Sequence, residues 1–342
     1  MGLHSRATQS SQIMGDQVMS LKRLFLFACL HTGLAFSQVP QLDRPIAESA
    51  PEIVSRSKQG IALPNAFLST DSEGFSATKL GAAYLPLYTH GDRYSGLQYQ
   101  WNSYSQNGWT AEGNQIGIST KSINPRTALG YNINLNLNEI KGYSLLTTDS
   151  YYAFQATSAT RAEFFLNRDR VETQNSINNG IYYTLGGLSV EQQLSDRLVG
   201  ILTAGNMYFS DSNTRPFFRV RAIYDVFPEY GITAQLRYRQ YRDTNTNVPN
   251  NYFNPDNYKE MMAAVGLRRF INGWRFAALL GFGRQQVNQD PSTGTQLIEL
   301  NATSPHYGPI FSRTRLGYNK SAGFQGPDYA YSYFMQELIF TF

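Results

Sequence analysis

Apolar and polar residues alternate along most of this chain. The clearest stretch is "YNINLNLNEI", where Tyr131, Ile133, Leu135 and Leu137 share one face and Asn132, Asn134, Asn136 and Asn138 share the other. A period of two belongs to a β-strand, whose successive side chains point to opposite sides. Asparagine is a poor strand former, so a face carrying four of them has to be wet, and the opposite face has to meet something apolar. "SGLQYQWNS" repeats the pattern, with Leu97, Tyr99 and Trp101 set against Gln98, Gln100 and Asn102. "PFFRVRAIYDVF", "GITAQLRYRQY" and "GWRFAALLGFG" do the same. No amphipathic helix of three or more turns interrupts the series. The last stretch, "YAYSYFMQELIFTF", alternates too and stops on an aromatic. It places Leu338, Phe340 and Phe342 on one face and Tyr333 and Glu337 on the other.

Turn residues punctuate these segments. Asn107-Gly108, Asn179-Gly180 and Asn272-Gly273 suit tight hairpins, because both central residues of a type I′ turn need positive φ. Gly91-Asp92 and Pro255-Asp256 mark further turns, and 242–251 and 288–296 are long polar loops. At about 9–11 residues per tilted spanning strand plus turns, residues 75–342 predict an all-β, antiparallel transmembrane β-barrel of about 14 strands, within a range of about 12–16. The number should be even, so that both ends of the sheet lie on the periplasmic side. Trp101, Trp109, Trp274, Tyr329 and Tyr331 are expected in aromatic girdles. A large soluble β-sandwich would bury its alternating faces against each other and need fewer outward aromatics.

The start of the chain gives an address. Lys22 and Arg23 precede a mostly apolar run from Leu24 to Leu34, and Ala35-Phe36-Ser37 puts small residues where a signal peptidase reads. Residues 1–37 are therefore expected to be an N-terminal extension plus signal peptide, with Met19 as the natural start or the upstream residues as a longer n-region, and with cleavage before Gln38. The apolar run is too short to span a bilayer as a helix. Residues 38–74, rich in Pro, Ser and charge, are expected to form a periplasmic segment ahead of the barrel. The only cysteine, Cys29, lies in the leader, so the mature chain has neither a disulfide nor a thiolate metal site. Export without cysteine points to the bacterial periplasm or outer membrane, and the alternating segments then place the chain in the outer membrane of a Gram-negative bacterium.

Composition agrees. Aromatics make up 14% of the chain, yet mean hydropathy is only −0.37. A membrane barrel combines the two, because lipid-facing and lumen-facing residues average out. The net charge of +4 and the lack of any dense basic tract exclude a nucleic-acid partner.

Little in the sequence suggests catalysis. The mature chain keeps only His90 and His306, and Ser304 beside His306 makes a weak nucleophile–base pair. No cofactor or metal is expected. Arginine placement says more: Arg219 with Arg221, Arg237 with Arg239, and Arg313 with Arg315 each share a face opposite apolar neighbours. A charge facing lipid costs about 2–4 kcal/mol at mid-depth, so these arginines, with Tyr333 and Glu337, are candidates for lining the lumen. Glu163, Asp225, Glu260 and Glu299 join them. Two readings stay open: a ladder of internal salt bridges that fills a narrow barrel, or a polar conduit biased toward anionic or hydroxyl-rich solutes.

Two stretches resemble a known family. "RYSGLQYQWNSYSQNGWTAEGNQIGIS" (93–119) is a strand, a turn and a strand. "YRQYRDTNTNVPNNYFNPDNYKEMMAAVGLRR" (238–269) carries an aromatic "Y-F-N-P-D-N-Y-K-E" box ahead of a strand. Both are similar to the C-terminal barrels of bacterial exopolysaccharide export porins of the cellulose and poly-N-acetylglucosamine secretion type. The resemblance covers 75–342 and implies a passive outer-membrane conduit for polysaccharide. It also implies contact with outer-membrane lipid and with the barrel-assembly machinery, which would read the terminal Phe340 and Phe342. The chain departs from the family in having no tetratricopeptide repeats before the barrel, so a separate periplasmic repeat protein is an expected partner. A general or small-solute porin and a closed adhesive surface barrel are the alternatives.

Overall fold

The computed structural model describes residues 58–124, 127–245, 248, 251–305 and 309–342. The expected signal peptide and His306 lie outside the described residues. The described chain is an up-and-down meander. Its first strands are β1 (Lys58–Asp71), β2 (Ser76–His90), β3 (Arg93–Gln106), β4 (Trp109–Ile123) and β5 (Gly130–Ile140). Then come β6 (Tyr143–Gln155), β7 (Thr160–Arg170), a short helix α1 (Gln174–Asn178), β8 (Tyr182–Gln193) and β9 (Leu198–Phe209). β10 (Thr214–Phe227), β11 (Ile232–Tyr241), β12 (Tyr258–Ile271) and β13 (Trp274–Val287) follow. β14 (Thr293–Thr303), β15 (Ile310–Lys320) and β16 (Ala330–Thr341) complete the sheet. Each strand pairs antiparallel with its sequence neighbours, and β16 pairs back onto β1 to close the barrel.

The barrel thus has sixteen strands rather than about 14, and it begins at Lys58 rather than Phe75. The first strand is disguised in the sequence by Pro64. Proline cannot donate to a ladder and is confined to edges and bulges; here the pairings of β1 with both neighbours shift register between Ala62 and Asn65. Pro86 sits at a matching shift in β2. The Asn107-Gly108 and Asn272-Gly273 pairs make the expected tight turns, with positive φ at all four residues. Asn179-Gly180 instead terminates α1.

Alternation decides which face each residue takes. Leu97, Ile116, Leu137, Leu236, Met261 and Val265 stand outward and exposed, part of an apolar coat around the barrel. The asparagines of β5 point inward, with Asn132, Asn136 and Asn138 buried. Trp101 and Trp274 face outward, but Trp109, Tyr329 and Tyr331 do not form a girdle. Tyr329 and Tyr331 are buried inside, and Trp109 packs on Phe75 and donates to Asn178 of α1 at 3.0 Å. Among the described residues no helix is long and apolar enough to cross a membrane.

Inner rings lie flat on the wall where the neighbouring strand carries glycine. The Tyr333 ring of β16 covers Gly317 of β15, where a Cβ would come within 2.0 Å of it, and its hydroxyl reaches Glu299 of β14 at 3.4 Å. Phe165 and Phe217 meet at 6.5 Å across Gly187 and Gly205 of the two strands between them. Gly317→Leu is expected to lower stability by about 1–3 kcal/mol through overpacking, read as a lower urea midpoint of the refolded barrel. Tyr333→Ala should recover part of that loss in the double variant.

Candidate lumenal site and its two mouths

Chain direction defines two ends. At the terminal end, Gln59 and Phe342 exchange backbone hydrogen bonds at 3.0 and 3.3 Å. The far end carries the longest connections, 171–181, 242–257 and 321–329. Inward side chains that keep access to water concentrate at mid-depth: Gln98, Gln100, Asn134 and Asp149 on one side, Arg219, Arg221 and Arg237 on the other. On the amide side, Gln98 donates to Asn136 at 2.6 Å and Asn167 to Asp149 at 3.3 Å.

The predicted arginines are brought together in pairs. Arg219 lies directly opposite Arg239 across the β10–β11 ladder, and Arg221 lies opposite Arg237. Like charges directly opposite repel, and the structure divides them unequally. Arg239 is neutralised by Glu260 at 2.7 Å, and it also donates to Tyr258 at 2.9 Å and to Ser321. The Tyr258 hydroxyl donates to Glu260 at 2.7 Å. Arg237 has a buried Nη1 without a hydrogen-bond partner. Arg313 lies opposite Glu337 and pairs with it at 3.0 Å, while Arg315 lies opposite Met335. Arg239 and Arg313 are therefore tied into buried charge networks.

The far mouth is bridged by its long loops. α1 is capped by Thr173, whose hydroxyl accepts from Ser176 at 3.1 Å, and Ile177 packs with Phe75 and Tyr104. Glu172, just ahead of α1, pairs with Lys79 of β2 at 2.5 Å. Ser176 donates to the Asn251 carbonyl at 2.7 Å, which joins α1 to the β11–β12 loop. Phe253 donates its N–H to the Phe324 carbonyl at 2.6 Å, joining that loop to the one before β16.

The aromatic box seats this bridge. Tyr252 stacks on Phe209 at 4.2 Å and donates to Asp211 at 2.9 Å. Beside it, Arg215 makes a two-pronged bond to Asp243 at 2.8 and 2.9 Å, within 4.6 Å of the Tyr241 ring. Burial pushes the Asp243 carboxyl up, and the Arg215 guanidinium pulls it back. Arg215, Asp243 and Phe324 carry no sequence motif. Only Asp243 lies near the box in sequence; Arg215 and Phe324 come from a distant strand and another loop.

The terminal mouth is different. The two-residue β2–β3 turn folds inward, with Gly91 against the Phe311 ring. Asp92 meets Lys121 at 2.9 Å, Arg313 at 2.9 Å and Arg275 at 3.8 Å. His90 Nδ1 accepts the Asp92 N–H at 3.1 Å. Ser304 uses its hydroxyl on the following strand, accepting from Ser312 N of β15 at 2.8 Å. Among the described residues no three His, Cys, Asp or Glu side chains gather as a metal ion would need.

No protein-family model matches the chain, and no curated protein matches it either. Solved structures do. A bacterial polysaccharide outer membrane secretin superposes with a TM-score of 0.60 at 14% identity, covering 85% of this chain and 100% of that one. CdiB from Acinetobacter baumannii gives 0.45 at 10% identity over 96% of this chain and 68% of its own. The outer membrane protein OprD from Pseudomonas aeruginosa gives 0.37 at 12% identity over 84% and 94%. The first of these shares the barrel fold.

Asp243→Ala leaves Arg215 charged, buried and unpaired, which costs about 3–5 kcal/mol. The expected readout is faster proteolysis and hydrogen exchange in 242–257, with the strands still protected. Replacing both partners by apolar residues, Arg215→Met with Asp243→Leu, should restore much of the protection.

Proposed function

We propose that this protein is an outer-membrane barrel of a Gram-negative bacterium that gives a polysaccharide a passive route across the membrane. One observation carries the reading: a closed barrel with an apolar coat encloses a water-accessible wall of amides and arginines. An exposed apolar coat of this extent demands lipid. Gln59 of β1 and Phe342 meet at the end with the shorter turns, the arrangement of the periplasmic side in outer-membrane barrels. The shared fold with a polysaccharide secretin supports the same reading.

Transport follows from many weak contacts. Gln98, Gln100, Asn134 and Asp149 offer donors and acceptors to hydroxyls, while Arg219, Arg221 and Arg237 favour negative charge. Favourable but multiple and weak sites let a solute enter and leave. The motive force comes from synthesis on the inner side, and a separate periplasmic repeat protein delivers the chain.

Deleting the gene should abolish the surface polysaccharide and leave small-sugar uptake unchanged. Persistence of the polymer with reduced sugar uptake would instead favour the porin. In planar bilayers, Arg221→Glu with Arg237→Glu should lower the anion-over-cation permeability ratio by about threefold or more through the local field. An unmoved ratio in a folded variant would take these two side chains off the conduction path.

The final strand also bears on assembly. Phe340 and Phe342 stand outward and exposed at the closing seam, where the barrel-assembly machinery would read them. Removing Phe342 should reduce the amount of assembled barrel in the membrane while leaving the conductance of the assembled fraction unchanged.

A further inference from the structure

The β2–β3 turn at the terminal mouth holds an unusual arrangement of charge. Lys121 comes from β4, Arg275 from β13 and Arg313 from β15. β4 and β13 lie seven strands apart around a sixteen-strand ring, almost opposite each other. These cations are fixed in the wall, yet all three converge on one carboxylate, Asp92. Glu337 adds one negative charge through Arg313. Among the described ion pairs, three cations face two carboxylates.

Asp92 is held differently from its partners. It belongs to a two-residue turn, and the ladder leading to that turn is broken twice: β2 and β3 shift register between Tyr84 and Leu87 and again between Tyr88 and His90. Bulges bend a strand and weaken its pairing locally. The hairpin tip thus leans into the mouth through Gly91 on Phe311 and through the Asp92 carboxylate on the cations, while the Asp92 carbonyl accepts from Ile123 N at the end of β4 at 2.9 Å.

We infer that Lys121, Arg275 and Arg313 form a carboxylate-binding triad at the entrance of the conduit, and that Asp92 occupies it as an internal stand-in for a carboxylate of the transported polymer. This rests on the conduit reading, which makes the terminal mouth the entrance. A carboxylate is the right size and charge for a site built of one ammonium and two guanidiniums. An incoming acidic sugar exchanges with Asp92 one charge for another, so the turn can swing out without leaving buried cations unpaired. The substrate class is then a polysaccharide bearing carboxylates, such as a uronic acid polymer, rather than a neutral one.

The test is binding of oligogalacturonate to the purified barrel in detergent, with maltodextrin of equal length as the neutral control. Asp92→Asn removes the charge that pairs with the triad and should raise oligogalacturonate affinity about tenfold or more; adding Arg313→Gln should remove that gain. Maltodextrin binding should not change. Gly91→Ala gives an independent release, because its Cβ would come within 2.3 Å of the Phe311 ring; it should also raise oligogalacturonate affinity. It serves as the deciding variant if Asp92→Asn fails to fold. A folded variant of either kind that binds oligogalacturonate no better than the parent overturns the proposal and leaves the triad a structural clamp. Binding in detergent needs no conductance, so a failure of the conduit reading would show separately, as a barrel that binds but does not pass ions in bilayers.

Discussion

Closure of the hydrogen-bonded ring is the constraint on which everything else here depends. Each strand pairs with both neighbours, and β16 pairs with β1 from Gly60 opposite Thr341 to Asp71 opposite Tyr331. An apolar coat leaves no water at mid-depth to satisfy a stray N–H or C=O, and each such group would cost several kcal/mol. The ring therefore tolerates proline in the seam region only where the ladder already skips, as at Pro64 and Pro86. It also fixes parity. Once β5 turns its asparagines inward, pairing carries the same inside and outside around the whole circle, and Arg219 has to face the lumen because Phe218 and Val220 face out.

The interior then has to accommodate what parity sends there. Part of it is charge, and buried charge is expensive unless paired and hydrogen-bonded. Arg215 with Asp243, and Arg239 with Glu260, Tyr258 and Ser321, meet that demand with several bonds per group. Another part is aromatic. Tyr333, Phe165 and Phe217 would crowd the lumen if they stood upright, but glycine on the neighbouring strand lets them lie on the wall. Glycine is weak in a strand, and here its lack of a side chain becomes a socket for a ring. Charge pairs and flat rings together leave the water-accessible residues at mid-depth and fill the two ends.

The barrel was legible in the sequence because alternation is a local property, and β5 or β11 can be read without knowing their neighbours. The strand number was not, because it depends on where strands begin. β1 carries Pro64 and polar residues that look like linker until its bulge is seen, and α1 is too short to leave a periodic trace. For the arginines, parity was readable but partnership was not. Nothing near Arg239 in sequence indicates that Ser321 will reach it, and nothing near Arg313 indicates Asp92, which is 221 residues away. Gly91-Asp92 looks like any tight turn. Its role appears only when the closed ring brings β4, β13 and β15 around it. The aromatic box could be placed as a loop-to-strand anchor from its residue types, but what it anchors to, Phe209, Arg215 and Phe324, comes from other strands and another loop.

The two mouths differ in what holds them. At the far mouth the bridge is largely apolar: Tyr252 on Phe209, Phe324 among Tyr183, Phe209 and Tyr252, and Ile177 under α1. Opening it exposes aromatic surface to water, at roughly 25 cal/mol per Å², and no soluble ion can compensate for that. At the terminal mouth the bridge is a carboxylate among cations. Its opening is an exchange, whose cost depends on what arrives to replace Asp92 and falls as that charge becomes more similar. The far mouth adds fixed ion pairs, Arg215 with Asp243 and Lys79 with Glu172, to that packing, whereas the terminal mouth presents a carboxylate that an incoming anion can replace. That asymmetry follows from where the chain places its short turn and its long loops.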